Sequence, residues 1–398
     1  MNEYTSIRFE ITSTCNINCK YCHNSEHAFK SDDMTSEEIM DIITEMKKRY
    51  PIKKILLTGG EPLLNRNILE IIKHITKLGI KTDMVTNGKL LTKDLIHKLE
   101  DAGLKRMRVS IDGIDAAHNF YRIGSDANIL WDLCDYMKKN TNLNVVIHTV
   151  CSNHNVEELN DIYQKILKLK LDRWRVFDVG YSGSAVKNIS DLDISRYYTK
   201  FVDKVECIVK HYIKNGIEKK LDIEINGIFK TNLLNLNQSI YCETSNEELL
   251  RALLDKSPCN YISHQTTVRS NGIATLCQYF HNPIEVYKVE RSNITTTKYF
   301  PVETKIKLND IKHCVECKYV LVCNSGCRSK AEFLTKSIYN PDPVFCVLLP
   351  LMYEKIIPLL PKHTQKIFNK LINGEVEPRY TALDLKHFME ESIQNETD

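Results

Sequence analysis

The sequence predicts an α/β fold built on a parallel sheet, followed by a small cysteine-rich unit and then by helices. Two patterns and one count lead there. Over the first half of the chain, apolar runs of strand length alternate with helical stripes of period 3.6. That alternation ends near residue 236. The chain has 398 residues and 14 cysteines, and seven of those cysteines fall within residues 259–346, where periodicity fails.

Residues 6–12 alternate and read as the first strand. Thr35-Ser36-Glu37-Glu38 is a capping box, and Ile39, Ile42, Ile43 and Met46 follow as an apolar stripe. Residues 53–58 form a second strand ending in Gly59-Gly60, and the helix over 67–78 stops at Gly79. Strand 81–86 ends at Asn87-Gly88, helix 92–102 stops at Gly103, and strand 106–111 ends at Asp112-Gly113. Helix 127–139, strand 144–150, helix 156–169 and strand 173–179 complete the pattern, and a long helix over 194–214 follows. Six strands alternating with helices mean a parallel sheet. Function in such sheets gathers at the C-terminal strand ends. The segments 15–22, 59–61, 87–88 and 110–113 all lie at that rim.

Residues 1–235 are therefore read as one α/β unit, 236–350 as a cysteine-rich unit organised around metal, and 351–398 as helices with a tail fraying from Glu390. Formal net charge is +3 with acids and bases interspersed, which gives no nucleic-acid footprint. No apolar run reaches the roughly 18 residues of a membrane helix, and the polar start Met1-Asn2-Glu3-Tyr4 is unlike a signal peptide. A cytoplasmic protein is expected, so its thiols are free for metal, catalysis or burial.

Cys15, Cys19 and Cys22, spaced C-x3-C-x2-C in the loop after the first strand, can wrap one corner of a [4Fe–4S] cubane. Three thiolates leave one iron open for a ligand. Zinc would want a fourth ligand, for which His23 is at hand. Gly59-Gly60-Glu61-Pro62 follows the second strand, where glycines permit close backbone approach and Glu61 can accept hydrogen bonds.

Cys-x3-Cys-x2-Cys after a first strand, with Gly-Gly-Glu-Pro after a second, resembles the radical SAM superfamily over roughly residues 5–180. The resemblance implies a partial (β/α)6 barrel. It also implies that the open iron chelates S-adenosylmethionine, which is cleaved to methionine and a 5′-deoxyadenosyl radical. Gly59, Gly60 and Glu61 would support the methionyl amine, Tyr21 would lie near the adenine, and Asn87 would stand at the same rim as a cofactor-binding residue. Ser110-Ile111-Asp112-Gly113 with His118 and Arg122 resembles the segment in which a serine and an arginine hold the cofactor's ribose and carboxylate. The physics suits Arg122, a planar bidentate donor.

The second set reads Cys259-x12-Gly272-x4-Cys277, then Cys314-x2-Cys317-x5-Cys323-x3-Cys327, then Cys346. Paired CxxC spacings suit a zinc ribbon; the x5 and x3 spacings are less usual for one. The whole pattern resembles the SPASM extension of radical SAM enzymes, which implies two auxiliary [4Fe–4S] clusters and three in all. Cys259, Cys277 and Cys327 would serve the nearer one. Cys314, Cys317, Cys323 and Cys346 would serve the farther one. Cys242 is the local candidate for a missing fourth ligand, although it lies 17 residues before Cys259.

The extension is associated with modification of peptides and proteins. Only 14 residues precede Cys15, too few for a fused leader-binding domain, so leader recognition is expected from a separate leader-binding protein or from the C-terminal half. Sulfatase-maturing relatives place an aspartate after the second extension cysteine. Here that position is Gln278, which cannot take a proton at neutral pH, leaving Tyr279 and His281 as candidate bases. The expected function is crosslinking or oxidation of a side chain in a precursor peptide, with electrons from a flavodoxin or ferredoxin and with no nucleic-acid or membrane partner. The alternatives are oxidation or rearrangement of a small molecule such as a sugar, and a non-enzymatic iron–sulfur carrier.

Overall fold

The chain starts in the middle of its own sheet. Strand β1 (Ser6–Glu10) pairs in parallel with β2 (Lys54–Thr58), and β3 (Lys81–Thr86), β4 (Leu104–Ser110), β5 (Asn144–Val150) and β6 (Arg173–Phe177) follow in sequence order. The structure is a computed structural model and describes residues 6–25, 32–236, 243–258, 265–275, 277–279, 286–288, 306–372 and 374–397. Cys242, Cys259 and His281 lie outside the described residues.

The parallel order extends past the six predicted strands at both edges. β7 (Asp222–Ile225) pairs in parallel with β6 and carries the short antiparallel β8 (Phe229–Lys230). On the other side β9 (Gln265–Val268) pairs in parallel with β1, and β10 (Ile273–Thr275) and β11 (Val286–Lys288) continue antiparallel. Among the described residues the result is an 11-stranded sheet. Four-residue β7 and β9 carry too little alternation to stand out from their surroundings. Partners on the sheet edge fix them.

Local signals behave as their chemistry requires. Thr35 and Glu38 complete the reciprocal cap of helix Ser36–Arg49, which buries Ile39, Ile42, Ile43 and Met46. Helix Ile68–Lys77 buries Ile68, Ile71, Ile72 and Ile75 against the sheet. One continuous core runs from Ile7 and Phe9 through Trp131 and Trp174 to Leu348, Met352, Leu385 and Met389. The C-terminal helices thus pack on the α/β core, and helix Pro343–Lys355 runs through residue 350. The tail does not fray at Glu390: helix Ala382–Thr397 continues past it, with Ser392 buried. A tertiary seat supplies what propensity alone withheld.

Candidate active site

The cysteine loop is pinned on three sides. The Gly60 and Glu61 amides donate to Thr12 O and Thr14 O, both at 2.8 Å. A Cβ on Gly60 would lie 2.1 Å from Thr14 O, so only glycine lets these two segments meet. Asn18–Cys19 forms a two-residue antiparallel pair with Arg122–Ile123, Cys19 opposite Arg122. The Ser184 amide donates to Cys22 O at 2.9 Å.

Glu61 is buried, and its carboxylate is fully engaged by the chain. Oε1 accepts from Thr86 Oγ1 at 2.7 Å and from the Leu63 amide at 3.1 Å; Oε2 accepts from the Asn87 amide at 2.7 Å. Burial pushes its pKa up to about 7, against the pull of those donors. Glu61 thereby fixes the rim, joining the turn after β2 to the end of β3. Asn87 turns its side chain to the loop: Nδ2 donates to Asn16 Oδ1 at 2.9 Å and lies 3.8 Å from Cys15 Sγ.

Ser110 ends β4, buried beside His148 of β5. Two residues on, Asp112 is fully buried and organises the second half of the site. Its Oδ1 accepts from the Val150 amide at 2.7 Å. Its Oδ2 accepts from Tyr21 Oη and, at 2.5 Å, from Arg122 Nε. The carboxylate expected opposite Arg122 is therefore supplied first by the chain itself. Burial alone would lower the Arg122 pKa; Asp112 raises it. Arg122 Nη1 also lies 3.7 Å from Cys19 Sγ, and the guanidinium sits 5.4 Å from the Tyr21 ring centre. Tyr21 is itself buried, tilted against Tyr121. His118 accepts the Asp112 amide through Nδ1 at 3.1 Å and is kept neutral, its pKa pushed down to about 4 by burial.

The three thiols form an electrostatically coupled set. Burial pushes Cys19 up to about 12, Cys22 and Cys15 add to this, and Arg122 opposes it; burial likewise raises Cys15 and Cys22. A cationic iron–sulfur core reverses that balance, since a coordinating thiol is deprotonated. Among the described residues no three Cys, His, Asp or Glu side chains are placed around a single metal ion. A cubane spreads its thiolates over separate irons, and three thiols flanked by an arginine and an asparagine fit that donor set.

The cysteine-rich unit joins the same rim. Arg269, buried just after β9, donates through Nη1 to Glu10 Oε1 at 3.0 Å and Asn24 Oδ1 at 2.6 Å, and through Nη2 to Gln278 O at 3.0 Å. It ties the end of β1, the cysteine loop and the segment after Cys277 together. Tyr279 lies with its ring 5.0 Å from that of His23, and its backbone oxygen accepts from Ser329 Oγ at 2.8 Å. This sets the Cys277 and Cys327 segments side by side. Cys314, Cys317, Cys323 and Cys346 line a single cavity with Tyr319 and Asp342. Burial raises all four thiols.

Sequence reasoning missed Asp112 as a hub and Arg269 altogether. Asp112 stood inside a recognised segment; Arg269 had no signal, since its side-chain partners Glu10 and Asn24 lie 259 and 245 residues away.

Residues 9–166 match the Radical SAM superfamily model. The chain is 30% identical over 254 residues to GTP 3′,8-cyclase of Clostridium perfringens, covering 61% of this chain and 76% of that protein. It is 26% identical over 368 residues to AdoMet-dependent heme synthase of Methanosarcina barkeri, covering 86% and 96%. It is 28% identical over 186 residues to PqqA peptide cyclase of Bradyrhizobium diazoefficiens, covering 46% of this chain and 48% of that one. The chain thus spans about half the length of the peptide cyclase, and 38% of a probable GTP 3′,8-cyclase of Methanocaldococcus jannaschii. Two solved structures share the fold. Native anSMEcpe with bound AdoMet has a TM-score of 0.67 at 18% identity, covering 92% of this chain and 99% of that one. Streptococcus suis SuiB bound to S-adenosylmethionine has a TM-score of 0.61 at 17% identity, covering 85% and 76%.

Proposed function

We propose, given that this chain belongs to the radical SAM superfamily, that it crosslinks or oxidises a side chain of a precursor peptide. The observation that carries the reading is the seating of the cysteine-rich unit on the cluster rim by Arg269. A second set of thiols is thereby attached to the mouth of the barrel, as expected of an enzyme that must take electrons back from an oxidised product. PqqA peptide cyclase among the relatives supports a peptide substrate. So does the fold shared with SuiB and anSMEcpe, whose structures include peptide complexes.

In this reading Cys15, Cys19 and Cys22 hold the first [4Fe–4S] cluster. When bound, it supplies the electron that cleaves S-adenosylmethionine to methionine and a 5′-deoxyadenosyl radical. Asn87 and Arg122 flank the thiolates and stabilise their charge. Asp112 fixes the orientation of Arg122 and of Tyr21. Glu61 locks the Gly59-Gly60 turn so that its backbone faces the cofactor. Cys314, Cys317, Cys323 and Cys346 hold one auxiliary cluster, and Cys277 and Cys327, with Cys259, hold the other. Tyr279, next to His23, would take a substrate proton, with His281 as its alternative. Electrons come from a flavodoxin or ferredoxin in the cytoplasm.

A second reading has its own support: the heme synthase match spans nearly the full length of both proteins, which favours a small-molecule substrate. Anaerobic incubation of the reconstituted enzyme with S-adenosylmethionine, dithionite and candidate peptides separates the two. The peptide reading expects 5′-deoxyadenosine together with a peptide lighter by two hydrogens. Turnover on a small molecule, with every peptide unchanged, overturns it.

A further inference from the structure

The face of the sheet turned away from the helices is cationic. Arg8 on β1, Lys54 on β2, Arg106 and Arg108 on β4, and Arg173 and Arg175 on β6 alternate with core residues such as Ile7, Ile55, Met107 and Trp174. The carboxylates that answer them are Asp83, bound by Arg106 and Arg108, and Asp222 and Glu224, bound by Arg173 and Arg175. With Lys230, which also binds Glu224, seven cationic side chains meet these three carboxylates among the described residues, while Glu10 on β1 is taken by Arg269.

These groups converge because the sheet curls. β1 and β5 are four strands apart, about 19 Å in a flat sheet. Yet Arg8 acts electrostatically on His148 of β5, together with Arg108, Arg175 and Arg173. Burial and these four arginines hold the His148 pKa well below its ordinary value, so the imidazole is neutral. His148 Nε2, Arg108 Nε and Arg8 Nε are sealed from solvent without a hydrogen-bond partner among the described residues. Among the described residues, Arg8 Nη2 donates to the Thr58 hydroxyl, at 3.3 Å. Arg108 is buried, and Arg8, Lys54, Arg106, Arg173 and Arg175 are half-buried; excess positive charge there and sealed, unpaired donors are costly unless an anion completes them, and arginine matches oxyanion geometry.

The location ties this lining to the chemistry. Thr58, which holds Arg8, directly precedes Gly59-Gly60, and His148 is the register partner of Ser110. The cationic wall thus begins immediately beneath the rim that carries the cysteine loop.

We propose that the lumen, meaning the face of the curled sheet turned away from the helices, is an oxyanion site that seats a substrate carboxylate against Arg8, Arg108, Arg175 and His148. Resting on the peptide reading, this makes the substrate an acidic peptide, anchored by an Asp or Glu side chain or by its C-terminus. The test uses the reconstituted holoenzyme, with sulfate and glutarate as probes and chloride at matched ionic strength as reference. Both probes should raise the unfolding temperature saturably. The half-saturating concentration should rise at least tenfold in Arg8→Gln and in His148→Gln, with the surface variant Arg196→Gln behaving like wild type. No shift beyond chloride, or equal shifts in wild type and both lumen variants, overturns the site. A response to sulfate but not to glutarate overturns the carboxylate assignment. Peptide turnover does not enter the measurement, so a failed peptide search leaves the anion site standing.

Discussion

The Glu61 carboxylate accepts the backbone N–H of Asn87 at 2.7 Å. Through that bond the turn after β2 and the end of β3 become one rigid rim, and the Asn87 amide is aimed at Cys15. Glu61→Ala removes three hydrogen bonds from a buried site. It should cost roughly 3 kcal/mol by the usual penalty for unsatisfied buried donors. Urea denaturation of the holoprotein measures it; a change below about 1 kcal/mol contradicts the locking role.

Gly60→Ala tests the close approach directly. Its Cβ would meet Thr14 O at 2.1 Å and Ser13 O at 2.7 Å, all backbone that cannot turn aside. The cysteine loop must shift, so the variant should fold but lose the first cluster. Iron should drop by about four from a total of about 12 per chain for three cubanes. Full iron content in this variant would show that the loop tolerates displacement.

Replacing Cys15, Cys19 and Cys22 together by Ala should abolish 5′-deoxyadenosine formation and leave about eight irons bound. Retained 5′-deoxyadenosine with dithionite would remove the first cluster from this loop.

Arg122 has two tasks that one substitution cannot separate. Arg122→Ala strands Asp112 as a buried, uncompensated carboxylate, costing about 3–5 kcal/mol. The pair Arg122→Met with Asp112→Asn should recover much of that stability while S-adenosylmethionine binding stays about 10- to 100-fold weaker, the value of a lost charge-assisted contact. Anaerobic calorimetry beside thermal unfolding reads both. Recovery of affinity along with stability would leave Arg122 a purely structural partner of Asp112.

Glu224 predicts a pH dependence. Burial would raise its pKa, but Arg175, Lys230 and Arg173 outweigh that and hold it at about 2. A depressed carboxylate contributes stability above its unfolded pKa of roughly 4.3, and that contribution is lost as pH falls toward 2. Glu224→Gln should therefore be less stable at pH 7 by about 2–3 kcal/mol and show a flatter acid limb below pH 4. Parallel limbs in the two proteins, from urea denaturation across that pH range, would dismiss the linkage.

The sheet's first six strands, the capped helix at Thr35 and the three-cysteine loop were legible because each rests on local chemistry: period, cap, spacing. The strands Asp222–Ile225 and Gln265–Val268 were not, since four residues carry no period and their identity comes from the edges they complete. Cys242, Cys259 and His281 stay expectations of the sequence, outside the described residues.

The sequence alone named the candidates for the chemistry: the thiols, the Gly-Gly-Glu turn, Ser110 and Arg122. Their number and order along the chain already restrict the metal and the cofactor. Tertiary structure alone decided how they are paired. It engaged the Glu61 carboxylate with Thr86, Leu63 and Asn87, gave Arg122 to Asp112, clamped the cysteine-rich unit to the rim through Arg269, and brought arginines from three strands, β1, β4 and β6, to act on His148 of β5. The reason is physical. Ligand identity is a property of side-chain type, whereas charge balance in a buried site depends on distances between residues far apart in sequence, and only the folded sheet sets those distances.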